Sequence, residues 1–220
     1  MAYSIAIDGP AGAGKSTIAK LIARKLQFVY VDTGAMYRAM AVYFTQNGVN
    51  PEDEAAINAA CENVGITIEY QDGEQQVILN GKNVTGLLRT EETGKMASRT
   101  SVYAKVRSKL VELQRELAKT TDVIMDGRDI GTTVLPHADV KVYLTASVEA
   151  RATRRYEELK AKGTDADYDA IKQDIENRDY QDMHRENSPL RQADDAVLVD
   201  SSNMSINEVV AAIINIKESK

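Results

Sequence analysis

Nine consecutive residues near the start of the chain, Gly9, Pro10, Ala11, Gly12, Ala13, Gly14, Lys15, Ser16 and Thr17, have the types and spacing to hold a triphosphate. Two glycines with four residues between them are followed by Lys and Ser, the pattern of a phosphate-binding P-loop. The glycines let the backbone curl so that successive amide N–H groups face one anion. Lys15 brings a point charge to the β- and γ-phosphates, Ser16 a hydroxyl for Mg²⁺, and Thr17 support for the α-phosphate from the first helical turn. The segment follows an apolar strand and opens a helix, the context in which backbone amides and the helix N-terminus act together on an anion. A glycine-rich strand-to-helix turn is the plainer reading, and it leaves Lys15 and Ser16 without a purpose.

Movement of a phosphoryl group between two anions needs cations that offset their repulsion and stabilise the charge spread over the γ-oxygens. Arginine suits this, because its planar fork holds phosphate through two bonds and stays charged. Arg128 and Asp129 follow the strand at residues 122–126 through Gly127, which puts them at a carboxyl strand end, where open α/β sheets place ligands. Arg38 lies about one turn into the helix after the second strand. Asp126 ends its strand as a Walker-B carboxylate does, or else begins a plain turn. Arg178, Asp182 and Arg185 are spaced i, i+4 and i+7, which predicts one helical face. That spacing fits a solvated ladder of weak salt bridges equally well. Arg151, Arg154 and Arg155 cluster at the start of the preceding helix, either folding over a triphosphate as a lid or facing water.

These residues must be positioned by a scaffold, and the chain alternates short apolar runs with longer helical patterns, the mark of a parallel sheet wrapped by helices. Strands are predicted at residues 4–8, 28–32, 123–126, 140–145 and 196–199, and helices at 15–26, 34–45, 169–184 and 205–217. The strands are apolar on both parities, as expected when both faces are covered. Between residues 65 and 84 the period changes to two, and Asp72-Gly73 and Asn80-Gly81 are hairpin turns. The expectation is an α/β fold of P-loop type, a parallel sheet flanked by helices, in a single domain of residues 1–220. It carries a small inserted antiparallel β lobe at about residues 62–100 and a short lid at about 151–166. The lobe is either decoration or a part that closes over a ligand.

With 220 residues the chain can bury one substantial core. A net charge of −6 argues against nucleic acid or an anionic membrane as the main partner. Cys61 is the only cysteine, so no intrachain disulfide is expected and a reducing compartment suits the chain. It is read as a small buried apolar residue rather than a catalytic thiol. No signal-peptide pattern and no 18-residue apolar stretch is present, so the chain reads as cytoplasmic, without a membrane span.

The Asn/Thr-Lys-x-Asp motif of GTPase switches is absent, and no signature of a motor ATPase is present. Three segments go further. Asp8-Gly9-Pro10-Ala11-Gly12-Ala13-Gly14-Lys15-Ser16-Thr17, Asp32-Thr33-Gly34-Ala35-Met36-Tyr37-Arg38 and Met125-Asp126-Gly127-Arg128-Asp129-Ile130-Gly131-Thr132 together resemble bacterial cytidylate kinases, which are P-loop nucleoside monophosphate kinases. The segment Arg178-Asp179-Tyr180-Gln181-Asp182-Met183-His184-Arg185, followed by Ser188-Pro189-Leu190, is also similar, so the resemblance covers nearly the whole chain.

The resemblance implies transfer of the γ-phosphate of ATP to CMP or dCMP, with Mg²⁺, in pyrimidine nucleotide metabolism. It implies that Ser98, Arg107 and Asp129 read the cytosine edge and that Arg178 and Asp182 hold the sugar. Arg38, Arg128 and Arg185 would bind the acceptor phosphate, with Thr33 nearby. Lys15, Arg128 and Arg185 would supply the catalytic charge, and Arg154 and Arg155 would be lid arginines on ATP. The Mg²⁺ hydroxyl is assigned to Ser16, but Ser16 stands where some relatives have Gly, which leaves Thr17 as the other choice. The partners implied are small nucleotides, with no nucleic acid and no membrane, and a monomer is expected. A kinase for UMP or AMP, and a nucleotide-binding module without turnover, are the alternatives to this reading.

Overall fold

The computed structural model describes residues 2–219 of the chain. β1 (Ser4–Asp8) puts Ile5, Ala6 and Ile7 out of contact with solvent, and α1 (Lys15–Leu26) covers it with Ile18, Ala19 and Ile22. The spacing of those three, on one side of a 3.6-residue period, is what turns α1 onto the sheet. Among the described residues the strands make two sheets, one of five strands and one of three.

The chain divides into two compact units. The first takes in the chain up to Tyr30 and again from Ala118 onward, and it contains β6 (Val123–Gly127), β7 (Val140–Thr145) and β8 (Val197–Asp200). The five-stranded sheet has the order β2-β6-β1-β7-β8, where β2 is Val29–Asp32. β1 runs parallel to both β6 and β7, and Asp8 lies level with Gly127 and Tyr143. The P-loop and the turn carrying Arg128 therefore leave the sheet at the same carboxyl edge. α6 (Val148–Ala161) and α7 (Tyr168–His184) pack on each other, and α8 (Ile206–Glu218) returns to α1. A complete capping box, Ser205 with Glu208, starts α8, a device worth about 1 kcal/mol.

The second unit, Val31–Leu117, holds α2 (Thr33–Gln46), α3 (Glu54–Cys61), β3 (Ile66–Gln71), β4 (Glu74–Leu79), β5 (Lys82–Asn83) and α4 (Glu91–Thr100). It also holds most of α5 (Ala104–Thr120). β3, β4 and β5 form an antiparallel meander. Both hairpin turns, Asp72-Gly73 and Asn80-Gly81, have positive φ at each central residue, as a type I′ turn requires. Cys61 is buried, and that burial raises its thiol pKa.

One expectation is corrected here. β8 is an edge strand with Val197 and Leu198 exposed, so it is not covered on both faces as its apolar run suggested. α7 ends at His184, and Arg185 is its C-cap with an extended backbone (φ −63°, ψ 142°). The φ of Arg185 is still helical and its amide still donates to the Gln181 carbonyl, so its side chain stays on the side of Asp182, whose Oδ1 is 3.7 Å away.

Candidate active site

In the first unit the P-loop crosses the end of β7 so closely that only glycine fits at position 9. A Cβ placed there would lie 1.9 Å from the carbonyl oxygen of Leu144. Gly12 and Gly14 adopt left-handed backbone (φ 75° and 86°), which turns the loop into α1. α1 starts without a side-chain cap and without an acidic residue in its first turn. Its leading amides are thus open to an anion rather than committed to a carboxylate.

Lys15 is buried and folds back over the loop, its Nζ donating to the Pro10 carbonyl at 2.8 Å. Burial first, and then the positive charge of Arg128, hold its pKa well below the usual lysine range. Phosphate oxygens would reverse that effect, since they supply the negative charge the site withholds. Ser16 Oγ donates to Asp126 Oδ2 at 2.9 Å, and Tyr30 donates its hydroxyl to Asp126 Oδ1 at 2.8 Å. Ser16, not the exposed Thr17, is therefore the hydroxyl that meets a carboxylate at the loop. A hydroxyl and a carboxylate are hard oxygen donors of the kind Mg²⁺ takes beside phosphate. The described residues contain no cluster of three or more His, Cys, Asp or Glu able to make a protein-only metal cage. This donor set fits a cation shared with a substrate.

The turn after β6 is held from β1. Asp8 accepts from the amides of Ile130 and Gly131, both at 2.7 Å, one to each carboxylate oxygen. Burial pushes the Asp8 pKa up to about 6, against those two bonds. The chain then widens into a π-type turn at Ile130–Val134. Arg128 and Asp129 are thereby fixed at the sheet edge, each by its neighbours on both sides.

Arg128 Nε donates to Asp182 Oδ2 at 2.7 Å. Burial works against both charges, but the pairing prevails, so the guanidinium pKa is raised and the carboxyl pKa lowered. Arg185 lies 3.5 Å from Asp129 Oδ1 and 3.7 Å from Asp182 Oδ1, and its Nε donates to the Ser188 carbonyl at 2.8 Å. It reaches this cluster from the C-cap of α7, after which the chain reverses and Leu190 donates back to the Asp182 carbonyl. Arg178 is partly buried, and burial followed by the charge of Arg128 lowers its pKa. One unit thus gathers Lys15, Arg128, Arg178 and Arg185 with the carboxylates Asp126, Asp129 and Asp182. Such arginines are oriented by carboxylates that an incoming phosphate can replace.

The predicted lid arginines are used elsewhere in this structure. Arg154 donates to the Ser201 carbonyl and hydroxyl at 2.5 and 3.3 Å, and Arg155 pairs with Glu158. Arg151, the first of the three, is the buried one, and it bonds the Ala11 carbonyl in the P-loop at 2.9 Å. Sequence spacing gave no means of choosing among them.

The second unit holds the other predicted residues. Asp32 caps α2, accepting from the Ala35 amide at 2.8 Å, and its carboxylate also binds Arg38 at 3.0 Å. Arg89, which the sequence did not single out, binds the same carboxylate at 2.6 Å. Thr33 is buried at the start of α2. Arg107 is buried under the Tyr37 ring, 5.5 Å from its centroid, and donates to the Ser101 carbonyl at 3.2 Å. Ser98 is half-buried one turn back on α4, where its carbonyl accepts from the Ser101 hydroxyl.

A P-loop at the edge of a parallel sheet, with arginines paired to carboxylates beside it, defines a P-loop kinase. The fold agrees with a shikimate kinase from Bacteroides thetaiotaomicron, at a TM-score of 0.51 over 98% of each chain with 13% identity. The family profile described as cytidylate kinase matches residues 5–219. Proteins named cytidylate kinase from Lactobacillus johnsonii and Leuconostoc mesenteroides are each 52% identical over 98% of this chain, covering 94% and 96% of their own lengths. One from Carboxydothermus hydrogenoformans is 49% identical over 96% of both chains. The chain belongs to the cytidylate kinase family.

Proposed function

We propose that this enzyme transfers the γ-phosphate of ATP to CMP or dCMP, giving CDP or dCDP and ADP. The observation that carries the reading is the cluster of Arg128, Asp182 and Arg185 in the same unit as a P-loop, with arginines held ready by replaceable carboxylates. Gly9 to Thr17 and Lys15 hold the donor triphosphate. Ser16 and Asp126 are the residues that would hold a Mg²⁺ ion bound with it, which would neutralise developing charge. Arg128 and Arg185, with Arg38 and Thr33, hold the acceptor phosphate, and Arg154 and Arg155 turn to ATP from their present partners. The acceptor is already an anion, so positioning and charge stabilisation suffice and no general base is called for.

Asp129 accepts from the exocyclic amine of cytosine, and Ser98 and Arg107 donate to its O2 and N3. Uracil offers an oxygen where Asp129 needs a donor, which leaves an acceptor unpaired. A UMP or AMP kinase would need different partners at these positions. The same reading has the chain acting as a monomer in the cytoplasm on small nucleotides. Neither nucleic acid nor membrane is a partner, as the net charge of −6 suggests. No helix among the described residues is long and apolar enough to cross a membrane.

With Arg178, Asp182 binds the sugar of the acceptor. In this structure Asp182 is engaged with Arg128, so its removal reaches the acceptor phosphate too. Asp182→Asn is expected to lower kcat/KM by about ten- to a hundredfold, the worth of a charge-assisted hydrogen bond. The loss for CMP and that for dCMP should differ, since the two sugars differ at one hydroxyl. Steady-state rates with both acceptors measure it, and equal losses would contradict the sugar role.

A further inference from the structure

Arg151 and Asp179 are two buried charges that the proposed reaction does not use. The guanidinium makes three separate bonds. Nη1 donates to the Ala11 carbonyl at 2.9 Å, Nε donates to the Ala146 carbonyl at 2.9 Å, and Nη2 meets Asp179 Oδ2 at 2.6 Å. Its stem also lies against the loop, since a Cβ on Gly12 would come within 3.4 Å of the Arg151 Cβ. Asp179 Oδ1 is buried without a hydrogen-bond partner. A buried carboxylate that leaves one oxygen unsatisfied is costly, and apolar residues of similar volume are often at least as stabilising in such a place. Packing alone is therefore a poor account of the pair.

Its position suggests a better one. Ala11 lies in the phosphate cradle, and its carbonyl shares a planar trans peptide with the Gly12 N–H, which must point the opposite way. Holding the carbonyl thus sets the direction of a cradle amide. Asp179 lies on α7 between Arg178 and Asp182, so whatever moves α7 moves the anchor of Arg151. Only a guanidinium offers donors in three fixed directions to join these elements.

We infer that Arg151, held by Asp179, is a positioning residue that couples the phosphate cradle to the α7 face, so that ATP and the monophosphate each raise the affinity for the other. This rests on the reading of α7 as acceptor-binding. Reciprocity is a thermodynamic requirement of any such coupling, and its usual size makes a factor on the order of tenfold the expected one.

Calorimetry on the full chain tests this, with CMP and a non-hydrolysable ATP analogue titrated alone and each in the presence of the other. The unmodified chain should show about a tenfold mutual gain. Asp179→Asn, which keeps the shape and removes the charge, and Arg151→Lys, which keeps the charge and removes the fork, should bring the factor close to one. CMP binding without the analogue should stay within about twofold, since neither residue touches CMP in this account. Variants that melt earlier yet keep the full coupling would show a purely structural pair and overturn the inference. A coupling factor of one in the unmodified chain would overturn it as well. Should Arg151→Lys fail to fold, Asp179→Asn decides. If CMP does not bind the unmodified chain at all, the acceptor reading of α7 falls and the inference with it, a result distinct from binding without coupling.

Discussion

Arg128→Gln lowers kcat by on the order of a thousandfold, the scale at which single charged groups contribute to phosphoryl transfer. The reasons lie in what surrounds the side chain. Arg128 is fixed at the end of β6 by a turn whose Ile130 and Gly131 amides are tied to Asp8. Its Nε is committed to Asp182, so the guanidinium is already oriented before any phosphate arrives. Its charge acts strongly enough at Lys15 to help lower the lysine pKa. Gln is shorter, and it keeps some hydrogen bonding but supplies no charge. It also leaves the partly buried Asp182 with Arg185 at 3.7 Å as its nearest remaining cation. Arg128→Lys should recover part of the loss, because the charge returns without the two-bond fork. Steady-state rates with ATP and CMP for the three proteins measure this. A kcat within about tenfold of the unmodified chain for Arg128→Gln would remove Arg128 from the catalytic charge.

The second large effect is on stability. Gly9→Ala forces a Cβ to within 1.9 Å of the Leu144 carbonyl oxygen, and that neighbour is main chain of β7, an interior strand of the parallel sheet. No rotamer change relieves such a contact, so either β7 or the P-loop has to move. The cost should exceed about 3 kcal/mol, the upper end of ordinary overpacking, and loss of the folded chain is within that expectation. Gly14→Ala makes the contrast. Gly14 is also left-handed (φ 86°), but nothing lies within 4 Å of its Cβ position. That variant should lose only the left-handed penalty, about 1–2 kcal/mol. Urea unfolding of both proteins gives the comparison, and equal losses at the two positions would contradict the account of Gly9.

The sheet and its antiparallel insert were legible because their signals are local. Asp72-Gly73 and Asn80-Gly81 need positive φ, and the structure has it at all four residues. The P-loop was legible for the same reason, since its spacing is itself the mechanism. Arg185 was harder to place. α7 stops one residue short of it, yet the helical φ of this cap position still brings the side chain to Asp129 and Asp182. The choice among Arg151, Arg154 and Arg155 was not legible at all. It depends on Ala11, 140 positions away, and on Asp179, and no local pattern records contacts at that separation. Asp8 was quoted only as part of a motif, although its carboxylate ties β1 to the turn that carries Arg128. β8 read as a covered strand because its residues are apolar, but sequence cannot show which strand lies at the edge of a sheet.

The central claim is that this cluster of arginines moves a phosphoryl group to a cytidine monophosphate. ADP release from ATP, measured against a panel of CMP, dCMP, UMP and AMP, tests it most directly. CMP and dCMP should stimulate release far above water-driven hydrolysis, and UMP and AMP should do so weakly. No stimulation by any monophosphate would contradict the kinase account, and equal turnover of UMP would contradict the base reading by Asp129, Ser98 and Arg107.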